Sequence, residues 1–134
     1  MATSGYSGTP LPKKLGLNPG IAGAVLAAPD GYIRSLGQAG ASLRTTLSKS
    51  LDFVQIFVRS RSELERRLPK AVDALVPAGV LWISWPKKSS GVETDVTEDV
   101  IREVILPKGL VDVKVCAVDE TWSGLKVVRR LTNR

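Results

Sequence analysis

The sequence predicts a three-layer α/β fold whose mainly parallel sheet ends in an antiparallel β-hairpin. Three observations predict it. Short apolar runs alternate with helical patterns along residues 21–106, which is typical of a sheet with helices on both faces. The last two apolar runs, 111–118 and 125–131, are separated by a short polar loop. The 134 residues have room for one domain, which we place at 21–134 after an extended arm of residues 1–20.

The first half of the chain alternates apolar runs with turn residues. The Gly/Pro/Ser-rich arm is expected to hold one helical turn near Lys13–Leu15. Pro29–Gly31 marks a turn after the first strand, and alternating apolar residues predict a strand at Ala41–Leu47. In chain order we expect a strand at Ala22–Ala28, a short helix at Tyr32–Gly37, and strands at Ala41–Leu47 and Asp52–Val58.

The second half contains the clearest helical pattern, Ser60–Val76. Ser60 and Glu63 have the spacing of a capping box, and apolar residues follow on one face. Pro69 is expected to kink this helix, because proline lacks the backbone N–H that an interior turn needs. A buried strand Val80–Trp85, a helix Asp95–Leu106, and the hairpin strands Val111–Val118 and Leu125–Leu131 complete the prediction.

Composition excludes several kinds of chemistry. The chain has no histidine and one cysteine, which excludes a histidine-based zinc or haem site, a Ser-His-Asp triad and an internal disulfide. We therefore expect no metal and no cofactor. The formal charge of +6 is spread, with +4 in residues 1–50, −1 in 51–100 and +3 in 101–134, which disfavours nucleic acid as a partner. We also expect no membrane segment and a cytoplasmic location.

The order of elements resembles a class I S-adenosylmethionine-dependent methyltransferase, a Rossmann-like fold. Leu15–Gly20 looks like the phrase that precedes its first strand, Leu75–Ile83 looks like its helix-to-fifth-strand junction, and the closing hairpin is its hallmark. One strand-helix unit is missing, because the four residues between Leu47 and Asp52 cannot hold a crossover helix.

Three sequence segments give a second resemblance. Ser4–Leu11, Ser84–Lys88 and Trp122–Lys126 are similar to those of a bacterial family called domain of unknown function 3052. That resemblance spans nearly the entire chain and implies a small bacterial protein.

Two departures argue against methyl transfer. The methyltransferase resemblance implies a glycine-rich turn after the first strand and an acid that binds ribose hydroxyls after the second. The first turn here, Leu26–Gly31, has one glycine and a proline, and the second predicted strand is followed by Ser48 and Lys49. We therefore expect a module that is not a catalyst.

A ligand site is expected where the strands end, because open α/β sheets bind ligands at the carboxyl ends of their strands. Cations, hydroxyls and a helix start there favour a phosphate or carboxylate group. The candidate residues are Asp30, Tyr32, Arg59, Arg61, Lys87, Lys88, Ser89, Ser90, Asp95, Trp122 and Ser123. An alternative is purely structural: Ser90, Thr94 or Asp95 caps a helix, and Gly124 supplies a positive φ beside a packed Trp122.

The leading hypothesis is thus a non-catalytic, methyltransferase-like module for a small anionic or nucleotide-like ligand. It predicts that Lys87→Ala or Arg59→Ala weakens ligand binding. The alternatives are a homodimer or other protein partner that pairs with the exposed hairpin edge, an active methyltransferase, and a weak nucleic-acid binder driven by charge.

Overall fold

The computed structural model describes residues 9–134, so residues 1–8 of the predicted arm lie outside the described range. None of the helices in this range is both long and apolar enough to cross a membrane. The elements are α1 Leu11–Leu15, β1 Gly23–Leu26, α2 Tyr32–Ser35, β2 Leu51–Phe57, α3 Arg61–Ala74, β3 Leu75–Pro86, α4 Glu98–Ile105, β4 Leu110–Ala117 and β5 Trp122–Arg129.

The described strands form one sheet in the order β1-β2-β3-β5-β4. β2 is parallel to both β1 and β3, whereas β5 is antiparallel to both β3 and β4. Every described strand except β5 therefore points the same way, which confirms a mainly parallel sheet that ends in a hairpin. The carboxyl ends of β1, β2, β3 and β4 share one side of the sheet, called here the carboxyl edge.

Two apolar cores, one on each face of the sheet, confirm the three layers. On one face Leu64 of α3 and Ile101 of α4 are fully buried against the strands. On the other face Leu15 of α1 and Leu36 after α2 are buried in a second cluster. Trp82 belongs to this second cluster, and its Nε1 donates a hydrogen bond to the Leu15 carbonyl at 3.1 Å. This bond fixes the short α1 to the sheet.

The helix α3 begins as its sequence predicts and runs on through Pro69. Ser60 Oγ accepts the backbone N–H of Glu63 at 3.1 Å, and the Glu63 carboxylate accepts that of Arg59. β3 follows α3 directly, so the helix ends at Ala74 rather than at the predicted Val76, and the strand begins at Leu75 rather than at the predicted Val80. Residues Pro77–Gly79 lie in an irregularity of β3, where the pairing shifts between Leu51 and Phe53 of β2.

The helix α4 starts later than predicted. Thr97 is its N-cap, because its side chain accepts the backbone N–H of Val100 at 3.1 Å. Ser90, Thr94 and Asp95 therefore do not cap α4, but Asp95 caps another helix, because its Oδ1 accepts the Arg61 backbone N–H at the start of α3. Thr94 Oγ1 instead donates to the Arg59 carbonyl at 2.7 Å and so ties the loop before α4 to the end of β2.

The strand predicted at Ala41–Leu47 is wrong. Residues 41–50, called here the strap, make one isolated bridge between Arg44 and Ala24 along the outer edge of β1. A regular strand would place Leu43 and Leu47 on the same face. In the structure Leu43 is buried in the core beneath α1 and α2, whereas Leu47 packs against the core beneath α3 and α4. The chain turns over between these two residues, and the pairing stops.

Candidate functional site

The carboxyl edge brings the predicted site residues onto one side of the molecule, and seven of the eleven line three separate cavities within residues 9–134. Asp30 and Tyr32 line the first, Lys87, Lys88 and Ser123 the second, and Arg59 and Asp95 the third. These residues therefore do not share one of the three cavities. Each cavity has its own charge and hydrogen bonding.

The first-turn cavity lies at the end of β1 and has a volume of about 440 Å³. The turn that follows β1 forms most of its wall, and Thr45 of the strap closes the outer side. Asp30 and Arg34 bring opposite charges to an otherwise mainly apolar lining. Arg34 and Thr45 were missed from the sequence, because Arg34 stands in no motif and Thr45 was assigned to a strand that does not form.

The backbone of this turn is strained at Ala27, which has a φ of +60°. This left-handed conformation costs an L-residue with a side chain roughly 1–2 kcal/mol, whereas glycine adopts it freely. Gly31 has a φ of +80° and caps the start of α2. Two residues of this turn, Ala27 and Gly31, therefore have the left-handed backbone that favours glycine. Only the second of them is a glycine.

Tyr32 lines the first-turn cavity while its hydroxyl points into the core. The hydroxyl donates a hydrogen bond to Gln55 Oε1 at 2.8 Å, and Gln55 Nε2 donates to Ser84 Oγ at 3.0 Å. Burial raises the pKa of Tyr32 well above its usual range, against a smaller opposing effect of the Gln55 hydrogen bond. Tyr32 is thus a neutral hydrogen-bond donor to the core at ordinary pH.

The lysine cavity, at the end of β3, has a volume of about 560 Å³. It combines Lys87 and Lys88 with the carboxylates of Glu98 and Asp99, which lower its positive potential. Arg102 also lines this cavity, but its guanidinium already binds carboxylate oxygens of α4 and β4 at 2.9–3.3 Å. The first turn of α4 is therefore already occupied by acidic side chains.

Ser89 and Ser90, both predicted as ligand-binding residues of the loop after β3, make different contacts. Ser90 Oγ donates to the Lys87 carbonyl at 2.6 Å and accepts the backbone N–H of Val92, so it closes the turn after β3. Ser89 is exposed beside it and is not among the residues that line the lysine cavity.

Trp122 is a core residue of β5. Its exposed fraction is 4%, and its ring meets Phe57 edge-on with a centroid distance of 5.0 Å. The Arg59 guanidinium carbon lies 5.1 Å from the Trp122 ring centroid, a cation–π geometry. The predicted contact between Trp122 and a ligand therefore finds little free ring surface, because the core and Arg59 already cover the indole.

Gly124 does not supply the positive φ suggested for it. Its φ is outside the left-handed region, and a Cβ there would lie 3.2 Å from Trp82 Cε3. The turn is made by Asp119, whose Oδ1 accepts the backbone N–H groups of Thr121 and Trp122 at 2.8 Å. Glycine at 124 therefore lets β5 pass close under the Trp82 ring.

Arg61 and Asp95 have structural partners. The Arg61 guanidinium binds Glu103 at 2.7 Å and Glu65 at 3.2 Å, and these hydrogen bonds raise its pKa. The Arg61 backbone N–H donates to Asp95 Oδ1 at 2.8 Å. Both side chains thus fasten the start of α3.

Cys116 shows no sign of reactivity. Burial raises the pKa of its thiol, despite the opposing charges of Lys14 and Lys114. Among residues 9–134 no group of three acidic or cysteine side chains is arranged to hold a metal ion.

Comparisons with known proteins identify the fold. No protein-family model and no curated protein matches the chain. A SAM-dependent methyltransferase from Aquifex aeolicus is similar with a TM-score of 0.64 at 12% identity, over 86% of this chain and 85% of that one. A putative type 11 methyltransferase from Sulfolobus solfataricus gives 0.61 at 15% identity, over 90% and 89%. The mitomycin 7-O-methyltransferase MmcR gives 0.63 at 13% identity, over 90% and 53%. The chain has a methyltransferase-like Rossmann fold.

Proposed function

We propose that the chain is a non-catalytic, methyltransferase-like module that binds a small, nucleoside-like anionic ligand at the carboxyl edge. The ligand occupies the first-turn cavity. The observation that carries the proposal is the lining of that cavity, where one carboxylate and one guanidinium stand beside apolar walls. Mainly apolar clefts with a few convergent polar groups at the carboxyl ends of strands are the usual ligand sites of open α/β sheets.

Each part of such a ligand has a partner in this lining. Val25, Ala28 and Ile33 offer apolar surface to a base. The Asp30 carboxylate accepts hydrogen bonds from sugar hydroxyls, and the Arg34 guanidinium binds an anionic substituent. By comparison, five charged side chains line the lysine cavity, so its lining is more polar than apolar and offers a base a less suitable wall.

The non-catalytic part of the proposal is supported by the strap. Residues 44–50, which run beside β1 where the family resemblance implies a ribose-binding acid, contain no carboxylate. The first turn holds Pro29 and a single glycine, Gly31, so its backbone departs from the pattern of the resemblance.

The test is a thermal-melt panel of S-adenosylmethionine, S-adenosylhomocysteine, common nucleotides, phosphate and citrate. A ligand at 100 times its Kd stabilises the fold by about 2.7 kcal/mol, which raises the Tm by several degrees. Arg34→Gln is expected to abolish the shift, while Lys87→Ala, in the lysine cavity, leaves it unchanged. If Lys87→Ala abolished the rise in Tm instead, the ligand would be assigned to the lysine cavity. If no compound of the panel raised the Tm, ligand binding would be refuted.

Catalysis is tested separately from binding. The protein is incubated with S-adenosylmethionine and a panel of small nucleophiles, and formation of S-adenosylhomocysteine is measured. We expect none above the background hydrolysis. Turnover that Asp30→Asn removes would overturn the non-catalytic part while leaving the first-turn cavity as the site.

We also propose membership of the domain of unknown function 3052 and a cytoplasmic location. Two phrases that support the first, Ser84–Lys88 and Trp122–Lys126, lie side by side in the sheet, with Ser84 opposite Gly124. The lone thiol of Cys116 suits a reducing compartment.

A homodimer through the hairpin edge is the second candidate. Val113 and Val115 of β4 are 52% and 45% exposed on that edge, which favours a partner. The pairing of β4 is irregular between Asp112 and Lys114, and bulges and lysines on edge strands oppose addition of another strand. Sedimentation equilibrium decides it: a monomer at all concentrations removes this candidate.

A further inference from the structure

A cavity at the opposite edge of the sheet has a different character. It lies at the amino end of β1, beneath the strap, and has a volume of about 490 Å³. The residues around it come from the approach to β1, the strap and the start of β2: Gly20, Ile21, Ala22, Gly23, Ser42, Arg44, Ser48, Lys49 and Leu51. We call it the amino-edge cavity.

Its lining carries two positive charges and no carboxylate. Arg44 and Lys49 are both cationic, and Ser42 and Ser48 add hydroxyls. The three cavities of the carboxyl edge each include at least one acidic side chain. The amino-edge cavity thus has the lining most favourable to an anion among these four.

Among the described residues, no side chain pairs with either cation. Within residues 9–134 no ion pair or side-chain hydrogen bond involves Arg44 or Lys49, whereas Arg61, Arg67 and Arg102 all bind carboxylates. Arg44 and Lys49 therefore offer two positive charges that no carboxylate of the described residues neutralises, and both attract an anion that enters the cavity.

The main chain of the strap holds Arg44 in place. Its N–H donates to the Gly23 carbonyl at 3.0 Å, and its carbonyl accepts the Val25 N–H at 2.8 Å. Ser42 Oγ donates to the Ile21 carbonyl at 2.7 Å and fixes the strap two residues earlier. The base of the Arg44 side chain is therefore preorganised, which reduces the entropy lost when its guanidinium binds a ligand.

We propose that the amino-edge cavity binds a phosphate group. The Arg44 guanidinium offers two parallel N–H donors to phosphate oxygens, and Lys49 adds a point charge. Ser48 contributes a hydroxyl donor, since the Ser42 hydroxyl is already committed to the Ile21 carbonyl. This site is distinct from the first-turn cavity, and the strap forms a wall of both, through Arg44 here and Thr45 there.

The experiment is a titration of the ¹⁵N-labelled full chain with inorganic phosphate, followed by amide chemical shifts. Shifts are expected to saturate at residues 20–23 and 42–51. Arg44→Gln/Lys49→Gln should weaken binding by about tenfold or more, because charge-assisted hydrogen bonds to the oxyanion are lost. Arg66→Gln/Lys70→Gln, which removes the same charge from the exposed side of α3, should leave the affinity unchanged. Equal losses in both double variants, or no saturable shifts, would overturn the proposal.

Two further titrations identify the source of the phosphate and separate this site from the first-turn cavity. Adenosine monophosphate tests a phosphomonoester, and adenosine is the control that lacks phosphate. If the monophosphate shifts residues 42–51 more strongly than inorganic phosphate, the phosphate is carried on a larger molecule. Arg34→Gln is expected to leave the inorganic phosphate titration intact, whatever it does to nucleoside binding. Loss of phosphate binding in Arg34→Gln would overturn the assignment to the amino-edge cavity.

Discussion

Asp95 Oδ1 accepts the backbone N–H of Arg61 at 2.8 Å, so a side chain from the loop before α4 caps the start of α3. Ser60 caps the same helix through the N–H of Glu63. The first turn of α3 is thereby held both by its own sequence and by a loop more than thirty residues away in the chain. This second cap ties the loop before α4 to the start of α3, which follows β2. It therefore fixes the part of the carboxyl edge that lies between the end of β2 and the lysine cavity.

The Asp95 cap predicts a loss of stability on truncation. Asp95→Ala should lower the free energy of unfolding by about 1 kcal/mol, the usual cost of losing a capping acceptor. Asp95→Asn keeps an acceptor oxygen and should lose less than half as much. Urea unfolding followed by circular dichroism measures both. An Asp95→Ala protein as stable as the parent chain would show that Ser60 alone caps α3.

The strained Ala27 predicts a gain of stability. Ala27→Gly removes roughly 1–2 kcal/mol of left-handed strain and loses roughly 0.5–1 kcal/mol to the greater freedom of glycine in the unfolded chain. The free energy of unfolding should therefore rise by about 0.5 kcal/mol. Ala28→Gly is the control, because Ala28 has no left-handed backbone, and it should be destabilised. Equal effects at both positions would contradict the strain argument.

The layered fold was predictable because its signals are local and periodic. The strand around Asp52–Val58 follows from a nearly continuous apolar run, and the Ser60 cap follows from the Ser–Glu spacing of a capping box. Trp82 and Trp85 lie on opposite faces because they are three positions apart, an odd spacing, in one strand. The strap was mispredicted because Leu43 and Leu47 share the spacing of a strand but enter different cores. Only the tertiary structure sets that difference.

The sequence was enough to predict which edge of the sheet holds the candidate site, but not which cavity at that edge. Parallel strands bring Asp30, Arg59 and Lys87 to one edge whatever their side chains do. Their division among separate cavities depends on contacts that are distant in sequence, such as Thr94 with Arg59. Arg34 and Thr45 line the first-turn cavity because of where α2 and the strap run in the fold. No sequence motif indicates those positions.

Close packing of the strap on β1 predicts that Gly23 tolerates no side chain. A Cβ at Gly23 would lie 2.8 Å from Leu43 Cδ2 and 3.0 Å from the Phe53 carbonyl oxygen. Gly23→Ala should therefore cost about 1–3 kcal/mol of stability. It should also speed amide exchange at Val25, whose N–H is bonded to Arg44. Gly91→Ala is the control for a loss of stability far from the strap, because its Cβ would meet no atom within 4 Å but its φ of +77° strains an alanine. Val25 exchange equal in both variants would contradict the prediction.

Burial of the Tyr32 phenol predicts that stability falls at alkaline pH. In the unfolded chain this phenol has a pKa of about 10, whereas burial raises its pKa in the folded protein. The folded state therefore holds more protons above about pH 10, so this contribution to stability is complete below that pH and is lost as the pH rises, by up to about 1.4 kcal/mol per unit.

Tyr32→Phe tests this linkage. The variant should lose about 1–3 kcal/mol at neutral pH, because the buried Gln55 Oε1 is left without its donor. Above about pH 10 the difference in unfolding free energy between parent and variant should shrink, because only the parent has the Tyr32 proton to lose. Cys116, whose thiol pKa is also raised by burial, is present in both proteins and cancels in the difference. Urea unfolding between about pH 8 and 11 measures it. A constant difference across that range would show that Tyr32 ionises as readily in the folded protein as in the unfolded chain.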